Sequence, residues 1–564
     1  MQSTYFIVRN EFITIWLNVI IFAVTVYELI MNKKRYLYLL YAVIGIFILV
    51  KFRFMYYGMS GFDDCYYSRY AADMIAGKFQ MTSDVFSHRI VPALILVPGC
   101  YILGINDFST ALPAMIISFL LIASLCGIAF QYYGLRGSYY AALFYVSYSG
   151  FMYYSDKSLA DIPLLACFFG WVYSYYMLRD NLWSAGKSAI IGAASVLMGW
   201  FTKEVIVMIL PLVCYWMLRD LYRRSNYSYW LLLLGFCSCG GIAYILYMHC
   251  AHNDVGMRFD ALAANFTKNP CLYYNQPISM LLRRLGYEYV QAFMNSQFAI
   301  VFTTVILYFL YYLYARPILS DQKRYWLISF IILTLTGNFF PASLSANSPL
   351  CADTRHFLFI VPAGILSFLP LWIGFIDQPK NNLMVPFSII LLCGYFYFFD
   401  YHMFWGWLFP LTVVVMLPIV RNSFYNTYLL PVALMLISMY LPIKTYIEQS
   451  KYGYKKQRGY HDRFIKEARA GIYIANEAEL NLLKYFSSYQ IPDHIKIILF
   501  NEVEKYTFAA QDSVYVIANG YAAFLCGQSW ETMPELARKA IMKYPKVWEI
   551  DEGFFINQIP ADKL

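Results

Sequence analysis

Charge is scarce in this sequence. Of 564 residues, only 14% are Asp, Glu, Lys or Arg, against 60% hydrophobic and 20% aromatic. A soluble domain carries about a quarter charged residues, so there is too little charge here to cover a water-facing surface. Signature motifs are also missing. No Walker loop, no HExxH and no GxGxxG in a strand–helix setting occurs, which leaves nucleotide-driven transport and zinc hydrolysis without support. The 12 cysteines form no CxxC pair and lie mostly inside apolar runs, as Cys237 and Cys239 do. They read as small core residues, not as a disulfide framework or a metal site. A bridge between Cys271 and Cys351, both in expected outer loops, is the lesser reading. No internal repeat, low-complexity segment or outer-membrane strand alternation is present.

What is present is a succession of apolar runs of 17 to 25 residues, such as 12–30, 36–56 and 230–248, with a slightly shorter one at 299–314. Runs of that length cross roughly 30 Å of hydrocarbon as helices, in which each backbone polar group is satisfied internally. The patterning predicts helices at 11–30, 36–57, 109–133, 137–155, 161–179, 187–202, 204–219, 228–250, 290–315, 325–345, 357–375, 384–400, 404–420 and 425–443. The fold class expected is an all-α polytopic membrane domain of about 12–14 transmembrane helices, with interfacial helices in the first outer loop. The first run lacks a basic start and a cleavage site, and Lys33-Lys34-Arg35 follows it, so it reads as a retained helix and not a signal peptide.

The net charge of +9 resides in short loops, as topology signals and not as a nucleic-acid footprint. Lys33-Lys34-Arg35, Arg136, Arg179 with Lys187, Arg219 with Arg223-Arg224, Arg316 with Lys323-Arg324, Lys380 and Arg421 all fall on one side, expected to be cytoplasmic. The outer side then receives 58–107, 155–161, the Lys203-Glu204 turn, 251–289 and 347–356. The chain emerges on this side again from about residue 444 and is polar from Lys451. Helix-like character at 462–488 and 530–544, and strand-like runs at 495–500, 514–517 and 547–550, predict a small C-terminal α/β domain on the outer face. The domains expected are therefore 1–443, in the membrane, and 444–564.

Chemistry-bearing residues gather on that outer side. Asp63-Asp64 follows a membrane helix and opens an amphipathic stretch, Asp63-Asp64-Cys-Tyr-Tyr67-Ser-Arg69. Adjacent carboxylates at a membrane surface are costly unless solvated, paired or used, and a general base needs such a group. A solvated, helix-capping Asp pair is the plain alternative. His88-Arg89 precedes a short apolar run. Arg89 either snorkels or meets an anionic headgroup, and His88 reads as a hydrogen-bonding partner. Asp161-Ile-Pro163 is good helix-start chemistry, so capping by Asp161 is a strong reading. Lys203-Glu204 reads as a mutual ion pair or, through Lys203, as a phosphate site. In Cys351-Ala-Asp353-Thr-Arg355-His356, Arg355 either grips a lipid phosphate or pairs with Asp353. Lys51 and Arg53 read as snorkelling residues.

Taken in order, these phrases resemble the GT-C class of membrane glycosyltransferases, near the bacterial aminoarabinose transferases and protein O-mannosyltransferases. The phrases are Asp63-Asp64-Cys-Tyr-Tyr67, Arg89…Pro92, Asp161-Ile-Pro163, Thr-Lys203-Glu204 and Asp353-Thr-Arg355-His356. The resemblance covers most of the membrane part. The tail is similar only in position. It implies a multi-pass enzyme of the inner (plasma) membrane and cell envelope, with an extracytoplasmic site. The sugar would come from a polyprenyl-phosphate donor and pass, with inversion, to a lipid, glycan or protein acceptor. By the resemblance Asp63 is the general base and Asp64 orients it or the acceptor. Lys203 and Arg355, then Arg89, hold phosphate. Asp161 is a second functional carboxylate, and His88 and Tyr67 complete the substrate-binding set. No metal ligand is assigned, and a divalent cation stays open as a cofactor. The sequence departs from close relatives at Asp64, where Glu is frequent, at His356, where Tyr is common, and in an extra N-terminal helix. A lipid or glycan flippase and a lipid-linked glycan polymerase or ligase are the other classes considered. A flippase would place ionisable groups near mid-membrane, whereas here they crowd the helix ends.

Overall fold

The computed structural model describes residues 33–56, 58–59, 61–268, 273, 276–294, 296, 298–341, 349–377, 384–399, 454–509, 511–519, 543–551 and 554–560. Helix α1 (Lys33–Met55) ends at a glycine-bearing loop, and α2 (Asp63–Ile75) opens directly on the Asp pair. A 3-10 turn (Val85–His88) leads into α3 (Ile90–Leu103), which is shorter than a full span. Helical segment α4 (Asp107–Val146) starts with a capping box. The Asn106 side chain accepts from Phe108 and Ser109 N–H, and Ser109 Oγ accepts from Asn106 N–H in return.

Segment α4 breaks at Gly134, whose φ of 61° and ψ of −157° reverse the chain. Ser138 Oγ then donates back to the Cys126 carbonyl at 2.8 Å, and Gly137 lies so close to Tyr133 that a Cβ would collide. The segment is therefore a helical hairpin, as the separate runs at 109–133 and 137–155 predict. Helices α5 (Ser149–Tyr154), α6 (Asp161–Arg179) and α7 (Ala185–Thr202) follow. A 3-10 turn (Glu204–Ile209) feeds α8 (Leu210–Tyr222), and α9 (Tyr227–His252) and α10 (Met257–Lys268) come next. The remaining elements of this part are α11 (Ile278–Arg283), a π-helical turn (Arg284–Glu288), α12 (Tyr289–Met294), α13 (Ala299–Ala315), α14 (Asp321–Phe339), a 3-10 turn (Thr354–Ile360), α15 (Val361–Asp377) and α16 (Met384–Phe399).

Among the described residues, five helical segments are long and apolar enough to cross a bilayer: Leu37–Met55, Asp107–Val146, Glu204–Tyr222, Tyr227–His252 and Arg355–Asp377. The chain is a multi-pass membrane protein. The runs expected at 11–30, 404–420 and 425–443 lie outside the described residues, as does the expected domain boundary near 444.

The bundle has two ends, and α6 defines them. Its first residue, Asp161, pairs with Lys203, and its last, Arg179, lies near Asp321 with Arg219. At the Arg179 end, Arg136 also meets Asp377. Arg136, Arg179 and Arg219, which the charge pattern assigns to one side, thus share this end. Packed towards the Arg179 end lies an aromatic core of Trp171, Tyr175, Trp216, Tyr229 and Trp372, all fully buried, with Arg179 over the Trp216 ring.

The C-terminal domain joins the Asp161 end. It comprises α17 (Tyr454–Glu467), β1 (Gly471–Ala475), α18 (Glu477–Phe486), β2 (Ile495–Leu499), β3 (Val514–Asn519), β4 (Lys546–Asp551) and β5 (Phe554–Ile559). The sheet order is β2-β1-β3-β5-β4, parallel around β1 and antiparallel from β3 to β4. Central β3 is buried at every position, as a strand covered on both faces requires. The helix-like reading of 462–488 conceals β1, which interrupts it. The helix expected at 530–544 lies almost wholly outside the described residues. Cys351 is disulfide-bonded, unlike the small-core reading given to the cysteines, and Cys271 lies outside the described residues.

Candidate active site

Helix α2 presents its first turn to the mouth of the bundle. Phe62 is its N-cap and offers no side-chain cap. Asp63 and Asp64 occupy the first helical positions, where the dipole favours negative charge. They diverge at once. Asp64 is buried, accepting from Cys65 N–H at 2.9 Å, and its carbonyl accepts from Ser158 Oγ at 3.4 Å. The Asp63 side chain is 31% exposed and faces Arg355, Oδ2 to Nη1 3.9 Å. Arg355 is exposed to the same degree. Its Nε lies 3.2 Å from Asp353 Oδ2 and 3.2 Å from His356 Nε2. Asp353 also accepts from Arg355 N–H at 3.0 Å, which fixes the turn that brings this arginine to the mouth.

Behind this pair lies a second, buried layer. Lys203 and Glu204 do not pair with each other. The β-region backbone of Lys203 throws the two side chains apart. Lys203 Nζ reaches Asp161 Oδ1 at 3.2 Å, whereas Glu204 takes Arg89 in a two-point grip at 2.6 and 3.2 Å. Asp161 is therefore not a side-chain cap. The N-cap of α6 is Ala160, and the Asp161 carboxylate is committed to Lys203. Arg89 does not snorkel: its guanidinium is buried, closes on Glu204 and lies over Phe86. His88 is buried with Nε2 2.8 Å from the Thr82 carbonyl, and Tyr67 is buried beside Arg89. Lys51 departs from the snorkelling expectation as well. It is 2% exposed and paired with the fully buried Asp156.

Of the site residues named from the sequence, Asp63 and Arg355 thus open to the surface. Lys203 and Asp161 stand directly behind them, and Asp64, Tyr67, His88 and Arg89 form the support. Two residues emerge that sequence reasoning did not select. Lys157 is buried between the rings of Tyr56 and Tyr153 and donates to the Gly58 carbonyl. Burial pushes its ammonium down to about 8, against the pull of Asp156 and Asp64. Arg258 of α10 is buried over Trp200 and donates to the carbonyls of His88 and Trp200. The signal for Lys157 was present, as a lysine between two carboxylates beside an apolar run. Arg258 had none, because its partners are backbone atoms.

A cleft of about 440 Å³ opens beside Asp353, lined by Tyr273, Arg283, Glu288, Gln291, Cys351 and Asp353. Its charges are internally matched, with Arg283 3.0 Å from Glu288 and Tyr273 donating to Glu288 at 2.6 Å. Among the described residues, no group of three or more His, Cys, Asp or Glu side chains is placed to hold a metal ion.

A helical membrane bundle with its charged mouth under a small α/β domain defines the class: a multi-pass membrane protein with an ArnT-like fold. The solved structure of ArnT from Cupriavidus metallidurans bound to undecaprenyl phosphate shares that fold with a TM-score of 0.56, over 93% of this chain and 98% of that one, at 11% identity. The same protein in the apo state matches at 0.53, with 12% identity and the same coverage. No family model matches the chain. No curated protein matches it either.

Proposed function

We propose that this chain is an integral membrane glycosyltransferase that moves a sugar, with inversion, from a polyprenyl-phosphate donor to an acceptor hydroxyl or amine. The observation that carries the reading is the Asp63–Arg355 juxtaposition, a surface-reaching carboxylate at a helix start facing a surface-reaching guanidinium at the bundle mouth. Asp63 takes the acceptor proton while the acceptor atom bonds to the anomeric carbon. The bond from that carbon to the phosphate oxygen breaks, and the donor leaves as polyprenyl phosphate. The leaving group needs charge neutralisation more than protonation, and Arg355 with Lys203 behind it supplies that. A bound phosphate also draws on the guanidinium that Asp63 faces, which leaves the carboxylate to the acceptor. The shared fold with ArnT, whose structure holds undecaprenyl phosphate, supports the donor class. The basic residues at the opposite end of the bundle support an extracytoplasmic site.

Titration of the purified protein with undecaprenyl phosphate tests the donor side. Arg355→Ala is expected to weaken binding about tenfold or more, and Arg136→Ala to leave it unchanged. Equal binding by wild type and Arg355→Ala removes the phosphate assignment. If vesicles carrying Asp63→Asn still translocate a lipid-linked sugar at the wild-type rate while no transfer is detected in either protein, a flippase replaces the transferase reading.

A further inference from the structure

The C-terminal domain does more than cap the bundle mouth. The backbone that carries Asp63 is held by it at several points. Asn481 of α18 donates from Nδ2 to the Gly61 carbonyl at 2.9 Å. Tyr489 donates to the Cys65 carbonyl at 3.0 Å and shares a 2.6 Å hydrogen bond with Ser68 Oγ. Tyr66 donates to Glu477. These contacts bracket Asp63 on both sides. A second group fixes the start of α4 nearby, with Tyr454, Tyr485 and Arg458 converging on Asp107 at 2.6, 3.1 and 2.8 Å.

The loop between α1 and α2 is built for this approach. Gly58 and Gly61 both have positive φ, 73° and 85°. A Cβ on Gly61 would lie 2.9 Å from the Ala478 carbonyl oxygen, and one on Gly58 would overlap the Tyr454 ring. Both glycines therefore serve backbone conformation and close contact with the C-terminal domain together. On the other side of the contact, Ser488 and Tyr489 also have positive φ, 51° and 64°. Left-handed backbone is unfavourable for such residues. Here it turns the chain after α18 so that the Tyr489 hydroxyl reaches back to Cys65.

We infer that α18 and the turn after it are a positioning element of the site, in which Asn481 and Tyr489 aim Asp63 by gripping the Gly61 and Cys65 carbonyls. This rests on the reading of Asp63 as the base. A displacement of about 1 Å in such a group lowers turnover about a hundredfold, so two hydrogen bonds on the backbone within two residues of Asp63 bear directly on rate. Neither residue touches Arg355 or Lys203, so donor affinity is independent of them.

The test uses the full-length protein with Asn481→Leu, which removes the donor at similar volume, and Tyr489→Phe, which removes one hydroxyl. Amide hydrogen exchange over residues 61–68 is expected to quicken about tenfold in each. Turnover of the polyprenyl-phosphate sugar pool extracted from the source cells is expected to fall about tenfold, with apparent KM unchanged. Binding of undecaprenyl phosphate should match wild type. Asn481→Gln, which keeps an amide donor, should recover part of both exchange protection and turnover. Unchanged exchange in the folded Tyr489→Phe protein overturns the inference. Quickened exchange with unchanged turnover overturns it as well, when Asp63→Asn is inactive. If Asp63→Asn is itself fully active, quickened exchange upholds the grip on the backbone, and it is the base assignment that fails.

Discussion

The two ends of the bundle hold their charges in opposite ways. At the Arg179 end, Arg136 pairs with an Asp377 that is 53% exposed, and Arg179 and Arg219, themselves 11% and 13% exposed, share an Asp321 that is 65% exposed. At the Asp63 end, Lys51–Asp156, Arg89–Glu204 and Lys203–Asp161 all lie at 10% exposure or less. Exposed pairs contribute about 0–1 kcal/mol and need only the right sign of charge on the right side of the membrane. Buried pairs carry a desolvation penalty that good geometry only offsets, so they are poor devices for stability alone. Their concentration beneath Asp63 and Arg355 is what a prepared electrostatic site requires.

The largest effect expected from that contrast is on folding. Arg89→Met leaves Glu204 buried without its counter-charge and should lower unfolding free energy by about 3–5 kcal/mol. Adding Glu204→Leu should recover most of it. Asp321→Asn and Arg136→Ala should change it by about 0–1 kcal/mol. Denaturant unfolding in detergent measures all four. Similar losses at both ends would erase the distinction.

Catalysis comes next. Arg355→Ala should reduce transfer about 10²–10³-fold, and Arg219→Ala should not affect it, as assayed on the purified protein.

Proton-linked effects are smaller. His461, buried in the C-terminal domain, places Nδ1 2.6 Å from the Gln457 carbonyl and Nε2 2.8 Å from Glu479, which also accepts from Asn519 at 2.6 Å. Both ring nitrogens face acceptors, so both are protonated. Burial alone would lower its pKa, but Glu479 and the Gln457 carbonyl, with Asp462 beyond, raise it above the ordinary 6.5. Such a group stabilises fully below the unfolded value and loses its contribution as pH rises through the folded one. Protease resistance of residues 454–519 should therefore decline at alkaline pH, and His461→Gln should flatten that dependence. Lys157 is shifted the other way. Its ammonium, which holds the Gly58 carbonyl, loses its proton near pH 8, so transfer should decline above that pH, and Lys157→Arg should extend the plateau.

Much of this was legible in the residues. The apolar runs locate the helices, and α6 begins and ends where the pattern places it. Even the turn at Gly134 follows from two separate runs, because a hydrophobic span of fixed length leaves few places for the chain to reverse. The candidate site was legible as a set of phrases at one end of the bundle. It was not legible as pairs. Lys203 and Glu204 are neighbours in sequence, yet an extended residue between two helical segments sends them to different partners, Asp161 and Arg89. Lys51 read as a snorkelling residue because nothing local reveals Asp156 across the bundle. The strand β1 was hidden because five residues of Gly-Ile-Tyr-Ile-Ala, set between two helices, carry too short a pattern to separate from them.

The central claim is that the one carboxylate of the adjacent pair that reaches the surface is the base of a sugar transfer. Replacing Asp63 by Asn, at nearly constant volume, tests it most directly. In an assay of purified protein with a polyprenyl-phosphate sugar extracted from the source cells, turnover should fall about 10²–10⁴-fold. Binding of undecaprenyl phosphate should be retained. Turnover equal to wild type would contradict the account.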